Sequence, residues 1–282
     1  MQTRTETHSK PVQGGKVRGR AILTIAGILL ASSAWAQWNI QFVDNEGDAG
    51  RNCRVVNDLL GIPHVFYEAD EHQLMHAAWT GSGWSLEHVL VLGEYISDGA
   101  LDAALDRTGK WHLVVAEDNG IWGDLWLHYV TNATGSWTDT VLSAYINGVG
   151  TSYQFMAAIA LDTAARPHIA DYCSLTDQFE HRWKSAIGTW QQEPIESSTD
   201  IRGLSATVDP QNRVYVGYFK SGDMMMAHRD AAGVWGVNVV DAPGVTGEFC
   251  SLKLDRNNRV CISYYDATNG DLKYAIGTPS FK

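Results

Sequence analysis

Along most of this chain apolar and polar residues alternate in short stretches, and the stretches end on aspartates at a near-constant spacing. Before Asp255 the apolar residues are Leu254, Leu252 and Cys250; before Asp162 they are Leu161, Ile159 and Ala157. Apolar side chains at every second position mark a strand with one buried face. A short turn then leads to a second apolar stretch, as in Pro63-His64-Val65, Trp111-His112-Leu113, Pro167-His168-Ile169 and Val214-Tyr215-Val216. The aligned aspartates are Asp58, Asp106, Asp162, Asp209 and Asp255, at intervals of 48, 56, 47 and 46 residues. A third strand follows, clearest at Gly270-Asp-Leu-Lys-Tyr-Ala275, and a tryptophan opens a fourth at Trp84, Trp137, Trp190 and Trp235.

Four-stranded units repeating every 40–50 residues predict the blades of a β-propeller. The fifth unit stops at Lys282 without a fourth strand. Segment 38–44, Trp38-Asn-Ile-Gln-Phe-Val-Asp44, matches Trp235-Gly-Val-Asn-Val-Val-Asp241 position for position. The expected fold is therefore all-β: a five-bladed propeller with four antiparallel strands per blade, the N-terminal strand completing the last blade. Residues 37–282 form one domain in this reading.

Residues 1–36 change the picture of where the chain works. Lys10, Lys16, Arg18 and Arg20 precede an apolar run over 21–31, and Ala34-Trp35-Ala36 follows. That pattern predicts a secretory signal peptide cut after Ala36, and a secreted or periplasmic protein. The whole chain has 21 basic and 32 acidic residues, a net charge of −11. The segment removes five basic residues and one acidic, leaving 16 against 31, a net charge of −15. Nucleic acid and membrane insertion after cleavage are disfavoured, because both anionic partners require basic patches. Cys53, Cys173, Cys250 and Cys261 follow no metal-ligand spacing. Cys53 and Cys250 fall in the same slot of adjacent units and point the same way, so disulfides are not expected.

The repeats resemble those of bacterial secreted β-propellers of the broad sialidase-like kind, which carry Asp-x-x-Gly-x-Pro-His-Ile followed by Gly-Asp-Leu-x-Tyr-Ala. The resemblance spans residues 38–282, and the intact sialidase Asp-box, Ser-x-Asp-x-Gly-x-Thr-Trp, is absent. It implies the architecture and an extracellular role rather than a particular chemistry. By blade number the chain is also similar to tachylectin-like sugar binders and arabinanase-like glycosidases.

Among candidate groups, the five repeated aspartates read as turn residues that bond nearby amides. His64, His112 and His168 lie six residues after an aspartate, where other units carry Tyr215 and Cys261, so they read as packing residues with a satisfied ring nitrogen. The departures from the repeat are more informative. Extra residues fall in 116–124 and 143–155, on one face of the expected propeller, and lengthened loops on a rigid scaffold are where function resides. These segments and their neighbours hold Glu117, Asp118, Trp122, Trp126, Tyr153, Phe155, Asp171 and Tyr172. Rings stack on the apolar faces of sugars and carboxylates accept hydroxyl hydrogen bonds, so this set predicts carbohydrate binding of a lectin-like kind. The alternative is a glycoside hydrolase or polysaccharide lyase on the same face, with Glu117 or Asp118 opposite Asp171 as the carboxylate pair. A scaffold that binds another protein is the third class. No cofactor is required by any motif; a calcium ion near Glu68 and Asp266 is the one metal the acidic residues would allow.

Overall fold

The computed structural model describes residues 39–118, 124–145, 153–197 and 200–278. Among them are nineteen strands in five antiparallel sheets. The first sheet contains β1 (Arg51–Asn57), β2 (Pro63–Ala69), β3 (Gln73–Trp79) and β4 (Trp84–Val91) in chain order. The second contains β5 (Tyr95–Leu105), β6 (Trp111–Asp118), β7 (Leu125–Thr131) and β8 (Thr138–Tyr145); the third, β9 (Phe155–Leu161), β10 (Pro167–Cys173), β11 (Gln178–Lys184) and β12 (Trp190–Ser197). The fourth contains β13 (Ile201–Val208), β14 (Val214–Lys220), β15 (Asp223–Arg229) and β16 (Trp235–Asp241). The fifth has three strands, β17 (Thr246–Leu254), β18 (Val260–Asp266) and β19 (Asp271–Gly277). This up-and-down pattern is that of a β-propeller.

Each repeated aspartate sets the first turn of its sheet. One carboxylate oxygen of Asp58 accepts the amides of Leu60 and Ile62, both at 2.8 Å. Asp209 does the same for Gln211 and Arg213, both at 2.9 Å, and Asp106, Asp162 and Asp255 repeat the pattern. The amides two and four residues on are thereby satisfied, which fixes the hairpin and the register after it.

The core lies between successive sheets. Phe66 and Leu74 of the first sheet meet Leu101, Leu113 and Val115 of the second. Leu125, Leu127 and Tyr129 meet Phe155 and Ile159 of the third. Tyr172 and Phe179 then pack on Val216 and Tyr218, and Tyr215, Met224 and Met226 on Leu252, Ile262 and Tyr264. Strands β1, β5, β9, β13 and β17 pack in that succession. Each is the edge of its sheet, so its spare backbone groups need partners from elsewhere. Side chains of the neighbouring edge supply them. The Ile159 amide donates to Asp102 at 3.0 Å, Leu252 to Ser205 at 2.9 Å and Phe155 to Ser97 at 3.1 Å.

The repeat tryptophans open or adjoin the fourth strands as expected and are half-buried, with Trp137, Trp190 and Trp235 at junctions between sheets. Trp137 Nε1 donates to Glu87 of the first sheet, and Trp235 Nε1 to Glu193 of the third. The expected N-terminal strand of the fifth sheet falls on residues 38–44. Residues 39–44 carry no strand pairing, Phe42 is exposed, and Trp38 lies outside the described residues. In consequence β19 is an open edge: Leu272 and Tyr274 are 82% and 62% exposed, where Leu74 and His76, the matching positions of the first sheet, are 0% and 5%.

Candidate functional site

The upper ends of the innermost strands are irregular in four of the five sheets. Pairing slips between Arg51 and Arg54 in β1, between Ile96 and Leu101 in β5, between Arg202 and Ser205 in β13, and between Glu248 and Ser251 in β17. At each slip one residue has a left-handed backbone: Asn52 (φ 45°), Gly99 (φ 79°), Gly203 (φ 60°) and Phe249 (φ 55°). Such bulges re-aim side chains out of the sheet, and those of β5, β13 and β17 place Gly99, Gly203 and Phe249 in the lining of a common depression. That depression has a volume of about 970 Å³ and draws its walls from all five innermost strands and their approaches, with Arg54, Asp98, Gln154, Tyr172, Arg202, Glu248 and Phe249 among its lining residues.

Arg202 is held in this depression by two carboxylates. Its Nη2 is 2.7 Å from Asp200 and its Nη1 3.4 Å from Glu248 of the next sheet, while its guanidinium lies 5.4 Å from the Phe219 ring centre. Tyr172 donates its hydroxyl proton to Asp177 at 3.1 Å and accepts the Asp200 amide at 3.2 Å. Burial first, and then the Asp177 carboxylate, push the Tyr172 phenol up to about 12. A second depression of about 400 Å³ lies among the turns of Asp106, Asp162 and Asp209. There the carboxylates are already engaged by their own turns.

The residues expected to form the site are spread over three environments. Tyr172 lines the depression, and Tyr153, adjoining its lining residue Gln154, packs against the core between the second and third sheets. Phe155 is wholly buried in that core. Trp126 is half-buried in β7 opposite Glu117, and Asp118 ends β6. Trp122 lies outside the described residues. Segments 116–118 and 143–145 belong to strands, so the lengthened connections reduce to 119–124 and 146–154. Glu117 and Asp171, one of the two carboxylate pairs open to a hydrolase, are 4% and 1% exposed, and neither they nor Asp118, the alternative to Glu117, line the depression.

Both buried carboxylates are committed to the fold. Glu117 accepts the amides of Gly93 and Glu94 at 3.0 Å and lies 2.9 Å from His128 Nε2, whose Nδ1 is 3.0 Å from Asp139. Asp171 accepts from Arg182 Nε at 2.8 Å; the same guanidinium reaches Glu180, Gln192 and the Leu142 carbonyl of the second sheet. Glu68 is taken by the Asn52 side chain and the Ile96 amide, and Asp266 by Asn269 and Lys273. Among the described residues no group of three or more His, Cys, Asp or Glu side chains is placed to hold a metal ion. All four cysteines are unpaired.

The repeat histidines belong to longer side-chain relays than their spacing alone implied. His64 Nδ1 is 2.7 Å from His76 Nε2, and His76 Nδ1 is 2.7 Å from Glu87. In the third sheet His168, His181 and Glu193 repeat the relay at 2.9 and 3.1 Å. The partners do leave a mark in sequence: His76, His128, His181 and His228 recur in the third strands, and Glu87 and Glu193 each lie three residues after a repeat tryptophan.

His128 makes stability depend on pH. Burial opposes its charge, but Asp139 and Glu117 outweigh burial and lift it from 6.5 to about 9. A raised folded pKa gives stabilisation that is complete below 6.5 and lost as pH climbs through 9. Roughly 3 kcal/mol should therefore disappear between pH 6 and pH 10, since each tenfold change in proton affinity is worth about 1.4 kcal/mol. Urea unfolding at the two pH values measures it, and His128→Gln should flatten that limb. A wild-type slope equal to that of the variant would remove His128 as its cause.

No protein-family model matches the sequence, and no curated protein matches it. The fold does match solved structures. A protein of unknown function from Dyadobacter fermentans superposes with a TM-score of 0.56 at 12% identity, over 83% of this chain and 80% of that one. A mutant α-L-arabinofuranosidase from Fusarium graminearum, in complex with an iminosugar inhibitor, gives 0.54 at 13% identity over 84% and 79%. The Penicillium chrysogenum α-L-arabinanase complexed with arabinobiose gives 0.52 at 10% identity over 77% and 71%. The solved structures that this chain resembles are β-propellers, and at these identities the likeness is one of fold.

Proposed function

We propose that this protein is an exported β-propeller that binds a saccharide in the depression at the head of its innermost strands, without cleaving it. The observation that carries the reading is the Arg202 clamp, a guanidinium fixed between Asp200 and Glu248 where all five innermost strands converge. A fixed donor fork flanked by acceptors suits the mixed hydroxyls of a sugar, and the volume lies in the range of small-ligand sites. Two similar folds were solved with arabinobiose and with an iminosugar inhibitor bound, which agrees with the reading. The N-terminal segment 1–36 acts as the export signal, and the mature chain meets its ligand outside the cytoplasm.

A glycan array run beside a reducing-end assay tests the proposal. Binding without product is the expected result. Arg202→Ala should weaken it about tenfold, the worth of one charge-assisted hydrogen bond. Release of reducing ends would make the protein a hydrolase, and no binding to any glycan beside a tightly co-purifying protein would make it a scaffold.

A further inference from the structure

Phe249 sits in a conformation that costs energy and gains no packing. Its φ is 55° and its side chain is 81% exposed. Bulky residues rarely adopt left-handed backbone, and they persist there where the surroundings hold them. The matching bulges of β1, β5 and β13 use Asn52, Gly99 and Gly203, residue types that accept this φ readily. Only the fifth sheet, among these four bulged sheets, places a large ring at that point.

The surroundings do hold it. Gly203 of the neighbouring strand has its backbone so close that an added Cβ would lie 3.1 Å from the Phe249 nitrogen. The thiol of Cys250, the next residue, donates to the Gly203 carbonyl at 2.7 Å. Two bulges from adjacent sheets are thus locked together, and the ring they present lines the depression beside Glu248 and Arg202.

We propose that Phe249 is the stacking platform of this site and that its ligand is an uncharged saccharide with an apolar ring face. The inference rests on the saccharide reading given above. A flat, exposed ring on a rigid strand contributes apolar contact at little cost in side-chain entropy. The charged lining residues are Arg54 and Arg202 against Asp98, Asp200 and Glu248, one net negative charge, within a chain of net charge −11. Arg202 is already neutralised by its two carboxylates. A uronate or sialate would therefore enter against the local field, while a neutral sugar would not.

The test is isothermal titration of wild type with methyl glycosides of galactose, glucose, mannose, fucose, xylose and arabinose, and with glucuronate, galacturonate and N-acetylneuraminate. At least one neutral glycoside should bind, and the three acids should bind at least tenfold more weakly. Phe249→Gly should weaken the neutral ligand tenfold or more while the melting midpoint stays level or rises, because glycine relieves the backbone. Phe249→Asn should behave alike, and Phe249→Trp should retain affinity. A midpoint that falls in both small variants would instead make the ring structural and overturn the platform. So would wild-type affinity in Phe249→Gly, which leaves saccharide binding itself intact. Tighter binding of the acids would overturn the ligand class alone. Binding of no sugar by wild type would overturn the saccharide reading and this inference together.

Discussion

Arg182→Met should lower the unfolding free energy by about 3–5 kcal/mol, the cost of leaving buried charge without its partner. Arg182 is 4% exposed, and its guanidinium serves Asp171, Glu180, Gln192 and the Leu142 carbonyl across a junction between sheets. Burial pushes the Asp171 carboxyl up, the Arg182 charge pulls it back toward the ionised form, and the balance leaves it at about 7. Without that charge burial acts unopposed and the folded-state value rises further. A carboxyl with a raised folded pKa costs stability as pH rises above its unfolded value of 3.8. The variant should therefore lose least near pH 4 and most at pH 8. Adding Asp171→Leu should restore part of the loss at pH 8, because an apolar side chain removes the orphaned charge. Denaturant unfolding at both pH values decides the matter, and a deficit equal at pH 4 and pH 8 would show that Asp171 is not the group left stranded.

The same residue shows where sequence reading runs out. Asp171 and Glu117 look like candidate site carboxylates because they neighbour the lengthened connections. What engages them comes from elsewhere in the chain: the amides of Gly93 and Glu94, between β4 and β5, for Glu117, and Arg182 of β11 for Asp171. No spacing along the chain reports such partners. The strands themselves are legible because their signals are local. An aspartate bonds amides two and four residues on, and one-sided burial imposes alternation, so β9, β10, β17 and β18 start and end close to where the pattern places them. The depression is hidden for a geometric reason. Bulges at Asn52, Gly99, Gly203 and Phe249 depend on the register between strands, and one extra residue in a strand leaves a faint mark in sequence. Gly99 and Gly203, seven and six residues before Asp106 and Asp209, are the signal the sequence does carry. Phe249 itself reads as ordinary strand filling.

A chain beginning at Gly47 should melt roughly 10 °C below one beginning at Gln37, whereas removing residues 1–36 alone should change nothing. The expected loss is ~3 kcal/mol, the lower end for truncating a large aromatic because the matching tryptophans are half-buried, and a domain of this size shifts by about 2–4 °C per kcal/mol. The sequence match assigns segment 38–44 to the fourth strand of the fifth sheet, and β19 carries an uncovered edge with Leu272, Tyr274 and Ile276 exposed. A repeated bridge supports that assignment. Tyr264 donates to Asp241 at 2.9 Å, and Tyr218 to Glu196, in each case from the second strand of one sheet to the fourth strand of the sheet before it. Both tyrosines lie nine residues after their repeat aspartate, and both acids six residues after their repeat tryptophan. Tyr67, nine residues after Asp58, donates to Asp44 at 2.8 Å, and Asp44 stands six residues after Trp38. Asp44 thus meets the first sheet as a fourth-strand acid of the fifth would. Asp44→Ala alone should cost about 2 kcal/mol, one hydrogen bond to a charged acceptor. An unpaired β19 also offers its backbone to other chains, so the shortened protein should self-associate at concentrations where the longer one stays monodisperse. Equal melting midpoints for the chains starting at Gln37 and Gly47 would show that the segment is not a strand of the fifth sheet.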